Sequence, residues 1–182
     1  VRITVETATI RALEKRFRAA GKNTKPALAR AVKRAGDMAL TAMTRSLTRQ
    51  TGLKRKTIVK ALKKEGGRGS LSYAIRSAGG DVSLKYFGAR ETRAGVSAKP
   101  FGARMVVKRV FMKGGRFPKR VPLNLGGHVF RREAGSRFPI AKVKSGVVIP
   151  AQMVTGATKS AFEKTASTQF LKRIQHELER LL

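Results

Sequence analysis

Any fold this chain adopts must hold 41 lysine and arginine side chains against only 10 aspartates and glutamates, a formal charge of +31 on 182 residues. Self-repulsion on that scale works against a lone compact monomer. An anionic companion is therefore expected in the functional state, whether nucleic acid, membrane or acidic protein. The surplus is uneven. Residues 1–60 carry 16 basic and 3 acidic groups, residues 61–150 carry 20 and 4, and residues 151–182 only 5 and 3. Ordinary helix packing is expected in that nearly neutral last stretch. With 41% hydrophobic residues, a chain of this length can bury about two-thirds of its unfolded surface, which excludes disorder throughout. The absence of Cys excludes disulfides, thiolate zinc sites and a cysteine nucleophile. No apolar run is long enough for a membrane helix, and VRITVETATI has neither the basic nor the apolar segment of a secretory leader, so neither is expected.

Val1, Ile3 and Val5 alternate with Arg2, Thr4 and Glu6, the period-two pattern of an edge strand or extended arm. Ile10, Leu13 and Phe17 share a helical face that Gly21 and Asn23 end. Thr24, two before Pro26, starts a helix of about 25 residues. Its apolar stripe of Leu28, Val32, Ala35, Ala39, Ala42 and Leu47 stops near Gly52. The alanines, with Gly36, leave room for a neighbouring element to approach closely. A short helix over Lys54 to Leu62 puts Ile58 and Leu62 on one side and cations around the rest.

Residues 63–70 (KKEGGRGS) show no periodicity and read as a flexible connection. Beyond it, short alternating runs recur: Leu71, Tyr73 and Ile75; Val82, Leu84 and Tyr86; Val96 and Ala98; Met105 to Phe111; Val147 to Ile149. Glycines punctuate them in the manner of an antiparallel sheet with hairpins. Lys113 to Pro122 is expected to loop out. Phe162, Ala166, Phe170, Ile174, Leu178 and Leu181 then mark a C-terminal amphipathic helix starting near Gly156. The expected class is α+β: N-terminal helices, one of them long, a central antiparallel β-sheet with hairpins, and a closing helix. The segments are 1–62, 63–70, 71–150 and 151–182, forming one compact domain.

Catalytic patterns are absent. The acids are scattered, and Glu91 and Glu133 each have an arginine neighbour, Arg90 and Arg132, which reads as local charge balance. His128 and His176 have no third histidine or cysteine to complete a zinc site. Neither a nucleophile elbow nor a phosphate-loop spacing occurs. No enzyme activity, cofactor or metal is expected. The strongest chemical feature is cationic: Lys54, Arg55, Lys56, Lys60, Lys63, Lys64 and Arg68 in one cluster, and Arg104, Lys108, Arg109, Lys113, Arg116, Lys119 and Arg120 in another. Such groups bind phosphates, or acidic partners, without reading base sequence. With 6% aromatic residues and no Trp, base stacking on single strands has little material to work with. A membrane-surface role fits poorly, because the basic helices alternate with strand-rich sequence.

The run Leu84–Lys99 (LKYFGARETRAGVSAK) resembles the F-x-A-R-Q-T-x-x-G-V-S-V-K signature of the phage and prophage minor tail protein Z family, the lambda-type tail completion proteins. Two further stretches agree in order and spacing: His128-Val-Phe-Arg-Arg132 followed by Phe138-Pro-Ile140, and Ser145-Gly-Val-Val-Ile-Pro150 ahead of a charged helix. The residues that carry the likeness are Phe87, Ala89, Arg90, Thr92, Gly95, Val96, His128, Phe130, Arg131, Arg132, Pro139, Ile140 and Pro150. Glu91 stands where the family carries Gln, and Ser145-Gly146 where a Tyr-Gly-Pro-like turn is usual. The resemblance implies a non-enzymatic virion component at the head-proximal end of the tail, assembled in the host cytoplasm. It implies a homo-oligomeric ring, a hexamer being favoured, around the DNA channel, beside the tail terminator, tail tube, neck proteins or tape measure. The alternative reading is a non-sequence-specific nucleic-acid-binding protein, for instance a ribosome-associated one.

Charge limits how such a ring would work. Duplex DNA in a channel about 30 Å long presents about 18 phosphates, whereas six copies at +31 each carry +186. Most cations must then meet something other than threaded DNA. The expectation is that the two basic clusters divide the tasks, one toward the lumen and one toward acidic neighbours.

Overall fold

The computed structural model describes residues 24–66 and 70–181. The arm and helix expected over residues 1–23, and Arg68, lie outside the described residues. The chain is α+β, with one long helix, several small antiparallel sheets with hairpins and a C-terminal helix. It divides into two compact units built from discontinuous segments. Of the described residues, the first unit holds 24–46, 62–66, 70–77 and 153–181, and the second 47–61 and 78–152.

In the first unit the leading element is helix α1, Thr24–Thr51, which begins and ends close to the sequence expectation and whose last turn belongs to the second unit. Its buried line runs Ala27, Ala31, Ala35, Ala39 and Met43, continuing to Leu47. Only part of the expected stripe is fully buried, because steps of four advance slowly around a helix of 3.6 residues per turn. Methyl-sized side chains let the C-terminal helix approach: Ala31, Ile174 and Leu178 form one buried cluster, with Leu28 and Phe170 packed against it. That C-terminal helix spans Gly156–Glu179, starting where expected, with Phe162, Ala166, Ile174 and Leu178 buried. Arg30 Nε donates to Glu177 Oε2 at 2.7 Å, which pairs a carboxylate buried among these apolar groups.

Strands β1 (Leu62–Glu65) and β2 (Ala74–Ser77) form an antiparallel hairpin, Lys63 opposite Arg76 and Lys64 opposite Ile75. Lys63 to Glu65 are therefore strand, not the connection read from their lack of periodicity. The pairing is supported by charge, with Arg76 Nε 2.9 Å from Glu65 Oε2 and Lys64 Nζ 3.3 Å from Asp37 Oδ1. The close approach expected at Gly36 occurs: the Tyr73 ring occupies the space where a Cβ would stand, and its hydroxyl donates to Asp37 Oδ1 at 2.8 Å.

After the last turn of α1, the second unit continues with Leu53, fully buried, and helix α2, Arg55–Ala61, whose buried anchor is Ile58. The strands are short and make four small sheets in this unit rather than one central sheet. Strand β3 (Asp81–Ser83) pairs with β12 (Lys144–Val148). Strands β4 (Arg90–Thr92), β5 (Gly95–Ala98) and β6 (Met105–Lys108) form a meander, with β5 buried throughout. Strand β10 (Phe130–Arg132) lies between β7 (Val110–Phe111) and β11 (Ile140–Lys142). Strands β8 (Lys113–Gly114) and β9 (Val121–Pro122) close a hairpin inside the stretch expected to loop out.

Local chemistry explains the fragmentation. The run read as Val82, Leu84 and Tyr86 leaves the extended conformation at Leu84, where Leu84–Phe87 turns as a 3-10 helix that buries Leu84 and Phe87 and ends at Gly88. The run from Met105 to Phe111 breaks at Arg109, whose φ of 57° is left-handed. Ile149, read as strand, instead starts helix α3, Ile149–Met153, with the Gly156–Glu179 helix following as α4.

Candidate functional site

The candidate site is a cationic surface, and the second unit holds most of it: 21 of its residues are basic and three acidic. Two of those acids are committed to structure. Asp81 Oδ1 accepts from the Ser145 and Gly146 amides at 3.1 and 2.9 Å, fastening the irregular β3–β12 pairing. Glu91, its side chain 6% exposed, pairs with Arg120 Nη1 rather than with its neighbour Arg90. The local balance read for Glu133 is also corrected, since the Arg132 guanidinium lies over the Phe111 ring at 5.4 Å and donates to the Ser136 carbonyl at 3.3 Å.

The first basic cluster is divided between the units. Lys54, Arg55, Lys56 and Lys60 are exposed on and just before α2, which buries Ile58 and turns its cations to solvent. The Lys54 carbonyl accepts from the Thr57 amide at 2.9 Å, so the helix starts within the cationic run itself. Lys56 and Lys60, four apart and so on one helical face, line a concavity of about 630 Å³ with Gly79, Gly80, Ser83 and Tyr86. Lys63 and Lys64 belong to β1 in the other unit, and Lys64 is paired with Asp37. The cluster is thus split between a helix and a strand.

The second cluster is also less uniform than its sequence. Arg104, Lys108, Arg109, Lys113, Arg116 and Lys119 are exposed, with Arg104 Nη1 donating to Ser97 Oγ at 3.0 Å. Arg120 is partly buried on Glu91 and is not a free anion contact. Arg109, Lys113 and Arg120 line a cleft of about 920 Å³ together with Arg132 and Arg137. Arg137 was not among the candidate cations read from the sequence. Its signal was the second arginine run, Arg131, Arg132 and Arg137, which only the β7–β10–β11 pairing brings beside Arg109 and Lys113.

Several of the residues carrying the family likeness hold the second unit together. Phe87, Val96 and Phe130 are buried. Thr92 Oγ1 donates to the Gly95 carbonyl at 3.0 Å across the β4–β5 turn. Gly95 is required twice over: its φ is +144°, and a Cβ there would stand 2.1 Å from the Val107 carbonyl oxygen. The Pro139 carbonyl accepts from the Glu133 amide at 3.2 Å, and Ile140 faces Arg132 in the β10–β11 register. Ala89, Arg90, Arg131 and Pro150 lie at intermediate or exposed positions. His128 Nδ1 lies 2.9 Å from Ser83 Oγ. Burial first, then the charges of Lys85 and Lys142, push the imidazole below its ordinary pKa. This Ser–His contact ties β3 to the segment before β10.

Among the described residues no three His, Asp or Glu side chains gather as a metal-holding group, and no helix is long and apolar enough to cross a membrane. No family model matches the sequence, and no significant match to it is found among curated proteins or solved structures.

Proposed function

We propose that the chain is a structural virion protein that completes a phage tail at its head-proximal end, as a homo-oligomeric ring near the DNA channel that contributes surface and electrostatic field rather than chemical turnover. The observation that carries this reading is the ordered set of three signature-like stretches. It is supported by their placement in one unit, where the Leu84 amide donates to the Val143 carbonyl, the Val143 amide to the Val129 carbonyl and the Lys99 amide to the Phe87 carbonyl, at 3.2, 2.8 and 3.0 Å. In this reading the partners are further copies of the chain, the tail terminator, tube or neck proteins, the tape measure and the duplex backbone. The test is quantitative mass spectrometry and labelling of purified tails, with the protein expected at one end in stoichiometric amount; its absence there overturns the proposal.

The exposed quartet Lys54, Arg55, Lys56 and Lys60 favours a second reading, non-sequence-specific binding to a nucleic-acid backbone. Reversing these four charges separates the two. Loss of tail joining with unchanged affinity for duplex DNA supports the first, and loss of duplex and RNA affinity without a tail phenotype supports the second.

A further inference from the structure

The cleft of about 920 Å³ in the second unit has a volume in the range of built ligand sites and a lining of two kinds. Arg109, Lys113, Arg132 and Arg137 line it with one carboxylate, Glu133, for a net of +3, while Arg120, also in the lining, is committed to the buried Glu91. Between them lie apolar groups, of which Phe138 is 65% exposed and Leu125 42%. Two of the arginines are already held on aromatic faces, Arg132 over Phe111 at 5.4 Å and Arg137 over Phe138 at 5.8 Å. Arg109 reaches the cleft from a left-handed backbone conformation, φ 57°, that arginine rarely adopts.

We propose that this cleft binds an acidic segment of a partner polypeptide, with carboxylates on the arginines and an apolar side chain against Phe138 and Leu125. Charge alone would suit duplex DNA equally. A duplex, however, presents a convex row of phosphates and nothing apolar, so it would leave the Phe and Leu surfaces wet and the concavity unfilled. An acidic peptide with aliphatic or aromatic residues matches both linings, and bidentate arginine–carboxylate pairing fixes its orientation. The inference does not depend on the tail-completion reading; either can fail while the other stands.

The test is fluorescence anisotropy on the full chain at roughly 0.3 M salt, where exposed long-range attraction is screened. The probes are a fluorescein-labelled twelve-residue peptide alternating Asp and Glu with Leu and Phe, an oligo-glutamate of equal charge, and short single-stranded and duplex DNA. The mixed peptide is expected to bind about tenfold or more tighter than oligo-glutamate. Arg132→Glu with Arg137→Glu, both exposed positions, is expected to weaken it by about tenfold or more, and Phe138→Ser to abolish the preference over oligo-glutamate. Arg109→Gly suits the local backbone, so it is expected to raise the melting temperature while weakening the peptide. Three results overturn the proposal: no binding of the mixed peptide, equal binding of the two peptides, or DNA affinity that falls in the arginine double variant while peptide affinity does not.

Discussion

Replacing Gly36 by Ala puts two well-measured effects in opposition. In a solvated helix interior the change stabilises by about 1 kcal/mol, since glycine loses more chain freedom on folding. At this position a Cβ would stand 2.3 Å from Tyr73 Cγ and 2.5 Å from both Cδ atoms, so the ring must leave. Overpacking of this kind costs about 1–3 kcal/mol. Moving the ring also gives up the 2.8 Å bond from its hydroxyl to Asp37, about 1 kcal/mol at a partly exposed site. Gly36→Ala should therefore destabilise by about 2 kcal/mol in the wild-type background. With Tyr73→Ala already present, the same change should stabilise by about 1 kcal/mol. The reversal of sign, a coupling of about 3 kcal/mol in a double-mutant cycle, is read from urea unfolding midpoints of the four proteins. Burial, then the bond to Asp37, holds the Tyr73 phenol above its ordinary pKa of 10.0, so it stays neutral near pH 7 and no titration confounds the cycle. Stabilisation by Gly36→Ala in the wild-type background, or the same change in both backgrounds, refutes the packing argument.

Two further outcomes follow from the second unit. Glu91→Ala strands Arg120, and because that arginine is 27% exposed the penalty should be about 2 kcal/mol, below the loss for a fully buried pair; Glu91→Leu with Arg120→Met should restore most of it in the same urea assay. His128 has a lowered pKa from burial and from Lys85 and Lys142, so the unfolded chain takes up its proton first. The resulting stability is present above the ordinary value of 6.5 and is lost as pH falls below it, a slope that His128→Gln should flatten in midpoints measured across that interval.

The helical parts were legible because their signals are local. Pro26 and Gly52 bracket α1, and the four-residue advance from Phe162 to Leu178 is α4 with its buried face. The strand-rich part was legible in kind but not in boundaries. Val82, Leu84 and Tyr86 alternate as a strand would, whereas the 3-10 turn buries Leu84 and Phe87, three apart, with Gly88 behind them. Lys63 and Lys64 carry no strand pattern of their own; their pairing comes from β2 and from Asp37, which no local window contains. Arg120 shows the same limit at the candidate site, because the carboxylate that removes it from the free cations lies 29 positions away.

The positions behind the family likeness are largely those the second unit needs in order to fold: a glycine against a carbonyl at Gly95, buried Phe87, Val96 and Phe130, and the Ser83–His128 tie. A pattern of that sort constrains backbone geometry, and the same geometry can serve more than one task. Of the cations that would meet a partner, Lys56 and Lys60 in one concavity and Arg109, Lys113 and Arg137 in the other fall outside the pattern, and Arg132 falls within it. Most of the side chains that would choose a partner are therefore ones the likeness leaves free, and the two concavities differ in kind. The first sets two lysines beside glycines and a tyrosine; the second sets arginines among exposed apolar groups. Planar guanidinium forks beside Phe and Leu suit carboxylates on a polypeptide, whereas lysines on a short helix suit a phosphate backbone. The division of labour expected between the two basic clusters is thus better drawn between these two concavities than between the two stretches of sequence.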